Sequence, residues 1–261
     1  MIRRVETIEQ LLWYVILLGF FLIIGNLFRN RLLGEYRYLA IFSAVQIVQN
    51  LFLLWMYSAH RDLYHLAYAF TSPPVWLTYI LVVLELYNIA LQKYEGIAKL
   101  SRKVFHVFLG IAIVTSLVTL LPEVHPSFKT MENLVELSRV ERGIVSSLVF
   151  FLLMITGFLL WFPVKLTRNA VAHTGFCVVF FLTIAAGLFF RDSTGTDATR
   201  LVSTISLGMA ALCLPAWAFA LSAAGETIAV TSRQSLAPDQ ERVLRQQLDG
   251  FNDALLRSSR K

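Results

Sequence analysis

Seven long, predominantly apolar stretches dominate this sequence, at 11–28, 38–57, 75–92, 104–121, 144–164, 170–190 and 201–224, each of at least 18 residues. About 20 such residues in an α-helix cross the hydrocarbon core of a bilayer. Lipid offers no partner to backbone N–H and C=O groups, and a helix satisfies them internally. The stretches are continuous rather than alternating, which favours helices over a β-barrel. Composition agrees: of 261 residues, 57% are hydrophobic and 15% charged, with a mean hydropathy of +0.64. A soluble domain is nearer half apolar and a quarter charged. The expected fold is all-α, a polytopic seven-transmembrane-helix bundle over 1–224, with a cytoplasmic linker and short amphipathic helix over 225–261. A soluble domain, a disordered chain and a collagen-like repeat are excluded.

Prolines mark the expected span limits. Pro73 and Pro74 are expected to open the third stretch, where a missing backbone donor costs nothing, and Pro163 to close the fifth. Pro215 lies inside the seventh and is expected to kink it. Tryptophans and tyrosines near the span ends, such as Trp13, Trp55, Trp76 and Trp161, suit an interfacial belt. No cleavable signal peptide is expected, because the first apolar run is followed by Arg29 and Arg31 without a small-residue cleavage site.

Charge sets the expected orientation. Fifteen of the 23 lysines and arginines fall in the first, third and fifth connections and the tail, and that set carries the positive excess. The positive-inside rule then places the N-terminus outside and the C-terminus in the cytoplasm, in an inner (plasma) membrane. The overall charge of +6 is explained by basic loops against anionic lipid, so membrane lipid and not nucleic acid is the expected partner. Cys177 and Cys213 both lie in apolar runs, where a thiol behaves as a small hydrophobe.

An ionisable group in mid-bilayer costs ~2.5–3.5 kcal/mol on insertion scales, so Glu85 calls for a reason. Thr78, Glu85, Asn88 and Gln92 recur at helical spacing on one face of the third span. Ser43, Gln46, Gln49 and Asn50 do the same on the second. The economical expectation is that the two stripes face each other, with Glu85 accepting hydrogen bonds from Gln46, Gln49 or Asn50. Two readings fit: interhelical polar contacts that pin two helices, or a ligand or coupling cluster.

Catalytic and metal signatures are absent from the sequence. No Gly-x-Ser-x-Gly, phosphate loop, His-Glu-x-x-His or Cys-x-x-Cys occurs, so no enzyme activity, cofactor or metal site is expected. A retinal pigment needs a Schiff-base lysine in its last helix, and 201–224 has none. His106 and His173 lie at matching depth and could form a pair, with helix packing as the plainer reading.

Outside the spans, 131–142 has the pattern of an amphipathic helix, lying on the membrane or extending the fifth span. After a polar linker over 227–235, Pro238 and Asp239 start a tail helix whose Leu244, Leu248, Phe251 and Leu255 form a heptad seam. Two heptads are too few to stand alone. The seam is expected to dock on a twin in a homodimer, on a cytoplasmic or membrane protein partner, or on the bundle itself. The tail Leu248-Asp249-Gly250-Phe251-Asn252-Asp253-Ala254-Leu255-Leu256-Arg257 resembles the signalling-helix start of bacterial seven-helix receptors that feed kinases or cyclases. The chain also resembles uncharacterised bacterial seven-helix proteins with this layout. The resemblance implies a membrane sensor that passes a signal through the tail to a separate partner. The alternatives are a small transporter or channel subunit coupling protons or cations through Glu85, and a structural subunit of a membrane complex.

Overall fold

The computed structural model describes residues 2–60, 63–91, 130–161, 165–193, 196–231 and 238–258. Among the described residues six long helices are each apolar over enough length to cross a membrane. They are α1 (Ile2–Arg29), α2 (Arg37–Ala59), α3 (Tyr64–Leu91), α4 (Thr130–Trp161), α5 (Arg168–Ser193) and α6 (Thr196–Ala220). A short α7 (Ala223–Thr227) and the tail helix α8 (Pro238–Ser258) follow, and β1 (Lys165–Thr167) pairs antiparallel with β2 (Ala229–Thr231). The chain is a multi-pass membrane protein. The expected span at 104–121, together with Gln92 and His106, lies outside the described residues.

The helices close a ring in chain order. α1 packs on α2, α2 on α3, α3 on α4, α4 on α5, α5 on α6, and α6 back on α1, with α3 also reaching α5. One core runs through the ring, from Phe20 and Phe42 to Leu148, Phe181 and Trp217. The outer surface is apolar as well: Phe21, Phe28, Val48, Leu160, Leu212 and Phe219 are exposed. In water such a surface would aggregate, whereas in lipid it needs no cover.

Helix ends show how local sequence and long-range contacts share the work. α1 ends in a Schellman turn, with Leu32 N–H donating to Leu27 O at 2.9 Å and Arg31 N–H to Phe28 O at 3.2 Å. Arg31 takes the left-handed position at φ 57°, where glycine is usual. Tyr36 stands at the N-cap of α2 and makes no side-chain capping hydrogen bond.

Several span limits move from their expected places. α3 begins at Tyr64, so Pro73 and Pro74 lie inside it and do not open it. Just ahead of the prolines the Thr71 and Ser72 hydroxyls donate back to Ala67 O (2.9 Å) and Tyr68 O (2.8 Å), within the turn that leads into them. The stretch 131–142 extends α4 and does not form a separate surface helix. α6 stops at Ala220, short of the expected 224, because Ser222 caps a new turn by accepting from Gly225 N–H at 3.1 Å. Part of the supposed polar linker is β2, whose register pairs Leu166 with Val230.

Candidate functional site

Two assemblies of polar residues occupy opposite parts of the ring. The first gathers where α1 turns into α2, beside β1, α7 and β2. Asn26 Nδ2 donates to Ala218 O (2.6 Å) and Leu221 O (2.7 Å), holding the end of α6. Asn169 Nδ2 donates to Ser222 O (2.7 Å) and Glu226 Oε1 (2.8 Å), while its Oδ1 accepts from Ser222 N–H (3.2 Å). The Tyr36 hydroxyl donates to the same Glu226 oxygen at 2.6 Å. Burial, and then the hydrogen bond and negative charge of Glu226, push the Tyr36 phenol well above its ordinary range, so it stays a neutral donor. Three side chains from α1, α2's entry and α5 thus hold the segment that leads into the tail.

Glu85 belongs to this end too. Tyr38 N–H donates to its Oε1 at 2.8 Å and Leu39 N–H to its Oε2 at 3.0 Å. The carboxylate of α3 supplies the cap that α2 lacks, set against the positive end of the α2 dipole. The expected bonds from Gln46, Gln49 or Asn50 are therefore not made. The reason is depth: Gln46 sits about 12 Å further along α2 than Tyr38 at 1.5 Å per residue.

Beneath the assembly His173 is fully buried, with its ring 5.3 Å from that of Tyr36 and 5.2 Å from that of Trp217. Its Nδ1 lies 4.0 Å from Cys177 Sγ. His173 Nε2 and Trp217 Nε1 have no hydrogen-bond partner among the described residues. Cys177 and Cys213 are free, buried thiols. Among the described residues no group of three or more His, Cys, Asp or Glu could hold a metal ion.

The second assembly is a cavity of about 280 Å³ in the other half of the ring. Its polar wall consists of Gln46 and Asn50 from α2, Tyr79 from α3, Thr183 from α5, and Ser203 and Ser206 from the first three turns of α6. Trp13, Phe20 and Phe180 supply aromatic wall. Among the described residues no charged side chain lines it. Gln46 Nε2 donates to the Tyr79 hydroxyl at 3.2 Å, and Asn50 Nδ2 donates to Gln46 O at 2.7 Å. Gln46 Oε1, Asn50 Oδ1 and the hydroxyls of Ser203 and Ser206 make no hydrogen bond among the described residues. An apolar pocket with a few convergent polar groups is the usual form of a small-molecule site.

Of the polar residues singled out for the expected cluster, only Gln46 and Asn50 reach the cavity. Ser43 and Thr78 donate within their own helices, to Leu39 O and Val75 O. Gln49 Nε2 donates to Thr71 Oγ1 at 3.2 Å, joining α2 to α3. Asn88 is exposed, away from the buried Thr78 and Glu85. On the tail seam Leu248 is 1% exposed and belongs to the bundle core, whereas Phe251 is 54% exposed. The side chains of Leu244 and Leu255 lie outside the described residues. Sequence reasoning missed Tyr79, Ser206, Asn26, Asn169 and Glu226. Asn26 and Asn169 did carry a signal, as lone carboxamides at the ends of apolar runs.

Comparison with known proteins adds no relative: no family model, no curated protein and no solved structure matches the chain.

Proposed function

We propose that this protein is a seven-span inner-membrane sensor in which occupancy of the cavity is relayed along α6 to the tail. The observation that carries the reading is the course of α6. It lines the cavity with Ser203, Ser206, Leu207 and Ala210. Two turns later it is gripped by Asn26 through Ala218 O and Leu221 O, immediately before the segment that enters the tail. A packed helix shared by a pocket and an exit segment is a physical route for coupling.

The topology has its own support. The α1–α2 turn, β1 and the start of the tail meet at one end of the ring, and these connections belong to the basic set that the positive-inside rule assigns to the cytoplasm. α3 ends near this end, where Glu85 meets the start of α2. α4 begins at the other, where Tyr68 meets Glu141. Chain continuity between them supports a seventh crossing by the apolar run 104–121. The transporter reading has weaker support, since both oxygens of Glu85 are engaged by backbone amides.

Purification from mild detergent tests the proposal. The full chain is expected to bring down a kinase, cyclase or regulator, and a truncation after Ala224 to insert normally and lose it. A lone polypeptide that conducts protons or cations in vesicles, with or without the tail, would overturn the sensor reading.

A further inference from the structure

The hydrogen-bonding groups of the cavity stand on two separate walls. One is built from α2 and α3, with Gln46, Asn50 and Tyr79, and the other is α6, with Ser203 and Ser206. α1 packs on both α2 and α6, while α5 packs on α6 and reaches α3, so these two helices hold the polar walls apart. What they place between is apolar: Ile16 and Phe20 from α1, Phe180 and Leu188 from α5. Thr183 of α5 donates within its own helix, to Val179 O at 2.8 Å. Among the described residues the Ser203 and Ser206 hydroxyls, Gln46 Oε1 and Asn50 Oδ1 all lack a partner, so no bond joins the two walls. The Tyr79 hydroxyl accepts from Gln46 Nε2 at 3.2 Å and donates to no described group. The α2–α3 wall can therefore both give and take a hydrogen bond.

The floor between the walls is aromatic and already fixed. Phe20, Phe180 and Tyr79 pack around one buried ring, Phe42, at centroid distances of 5.5, 5.8 and 5.7 Å and interplanar angles of 85°, 72° and 62°. Rings held edge to face favour a further ring over an aliphatic group of the same size, through their quadrupoles as well as their area. A cavity of about 150 Å³ accommodates benzene, so about 280 Å³ takes one ring with a short arm at each end. A ligand shifts an equilibrium only through differential contacts, and contact with α2 alone would leave α6 unmoved. Resting on the reading of the cavity as the sensor's ligand site, we propose that its ligand is a small aromatic diol that bridges the two walls. The ring lies on the floor of Phe20, Phe180 and Tyr79. One hydroxyl donates to Gln46 Oε1 or Asn50 Oδ1 and accepts from Tyr79, and the other meets Ser203 and Ser206. The ligand thereby links α6 to α2 across the cavity.

The test uses the full chain in mild detergent and four probes of one shape: para-xylene, para-methylbenzyl alcohol, para-benzenedimethanol and the saturated trans-cyclohexanedimethanol. The rise of unfolding temperature with probe concentration gives each apparent Kd by mass action. The aromatic diol is expected to bind about tenfold more tightly than the single alcohol, and the single alcohol about tenfold more tightly than para-xylene. The saturated diol is expected to bind about fivefold more weakly than the aromatic one. Ser203→Ala/Ser206→Ala is expected to erase the advantage of the diol over the single alcohol. Asn50→Leu is expected to weaken both alcohols more than para-xylene; if the serine variant fails to fold, this result decides. Equal affinity of diol and single alcohol in the parent, a diol advantage that survives loss of both serines, or unchanged affinities in Asn50→Leu would each overturn the bridging diol. Equal binding of the two diols would overturn its aromatic core. The sensor reading fails separately. Binding in the expected order that leaves partner capture by the full chain unaltered would keep the ligand and overturn the sensor. Partner capture alongside equal binding of all four probes would keep the sensor and overturn the ligand.

Discussion

Tyr36 and Glu226, separated by 190 positions, meet through a 2.6 Å hydrogen bond that ties the entry of α2 to the first turn of the tail segment. Asn169 converges on the same carboxylate oxygen. Tyr36→Phe removes one donor and leaves the other, so it is expected to cost about 1.5–3 kcal/mol, the range for a hydrogen bond to a charged group. Thermal unfolding in detergent measures it. The sign of the pH dependence follows from the raised phenol. Its stabilising contribution is fully present below the ordinary tyrosine value of 10.0 and is lost as pH rises through the folded-state value. The parent is therefore expected to lose its advantage over Tyr36→Phe above about pH 10. A constant difference from pH 7 to 11 would contradict the assignment.

Glu85 offers a sharper case. Both carboxylate oxygens accept from backbone N–H groups, and a glutamine retains one acceptor and turns an amine on the second donor. Glu85→Gln is expected to lose about 1–2 kcal/mol, with Glu85→Ala losing at least as much. Full retention of stability in both variants would show that α2 is capped by something else.

The close seat of Gly225 against the Asn169 carboxamide leaves no space for a Cβ. Gly225→Ala is expected to displace Asn169, cost about 1–3 kcal/mol and expose the α7–β2 segment to protease. An unaltered digestion pattern would mean that Asn169 yields without consequence.

Arg31 stands where a Schellman turn favours glycine. Arg31→Gly removes left-handed strain and adds freedom to the unfolded chain, for a net gain of about 0.5–1 kcal/mol. A loss of stability on this substitution would show that the Arg31 side chain contributes more than its backbone costs.

The tail separates two neighbouring residues of one seam. Leu248 is in the core and Phe251 is exposed. Leu248→Asp is expected to release α8 and open it to protease, whereas Phe251→Asp leaves the digestion pattern unchanged and weakens partner capture. Equal effects of the two on docking would contradict the assignment of faces.

Much of the bundle was legible because bilayer thickness imposes a length on every crossing, and the runs that became α1, α2, α5 and α6 show that length directly. Pro73 and Pro74 misled because a proline inside a transmembrane helix is tolerated where the helix packs against neighbours, and α3 continues through both. The facing of Glu85 with Gln46 and Asn50 failed for a different reason. Helical spacing gives the angle around each axis and says nothing of relative depth between two helices. The end assembly was hidden because its bonds join Asn26 to Leu221 and Asn169 to Glu226, contacts that leave no local pattern. The cavity was half legible: its carboxamides stand out in an apolar run, while Ser203 and Ser206 look like ordinary small residues of a packed helix.

Coupling between cavity and tail is the central claim, and a distance measurement reaches it most directly. Spin labels on Leu33→Cys, in the α1–α2 turn, and Phe251→Cys, on α8, report where the tail sits, with native Cys177 and Cys213 buried. Ala210→Phe fills the cavity from α6 in place of a ligand. The account predicts that this substitution shifts the Leu33–Phe251 distance distribution in nanodiscs. An identical distribution in the filled and unfilled proteins, both folded, would contradict it.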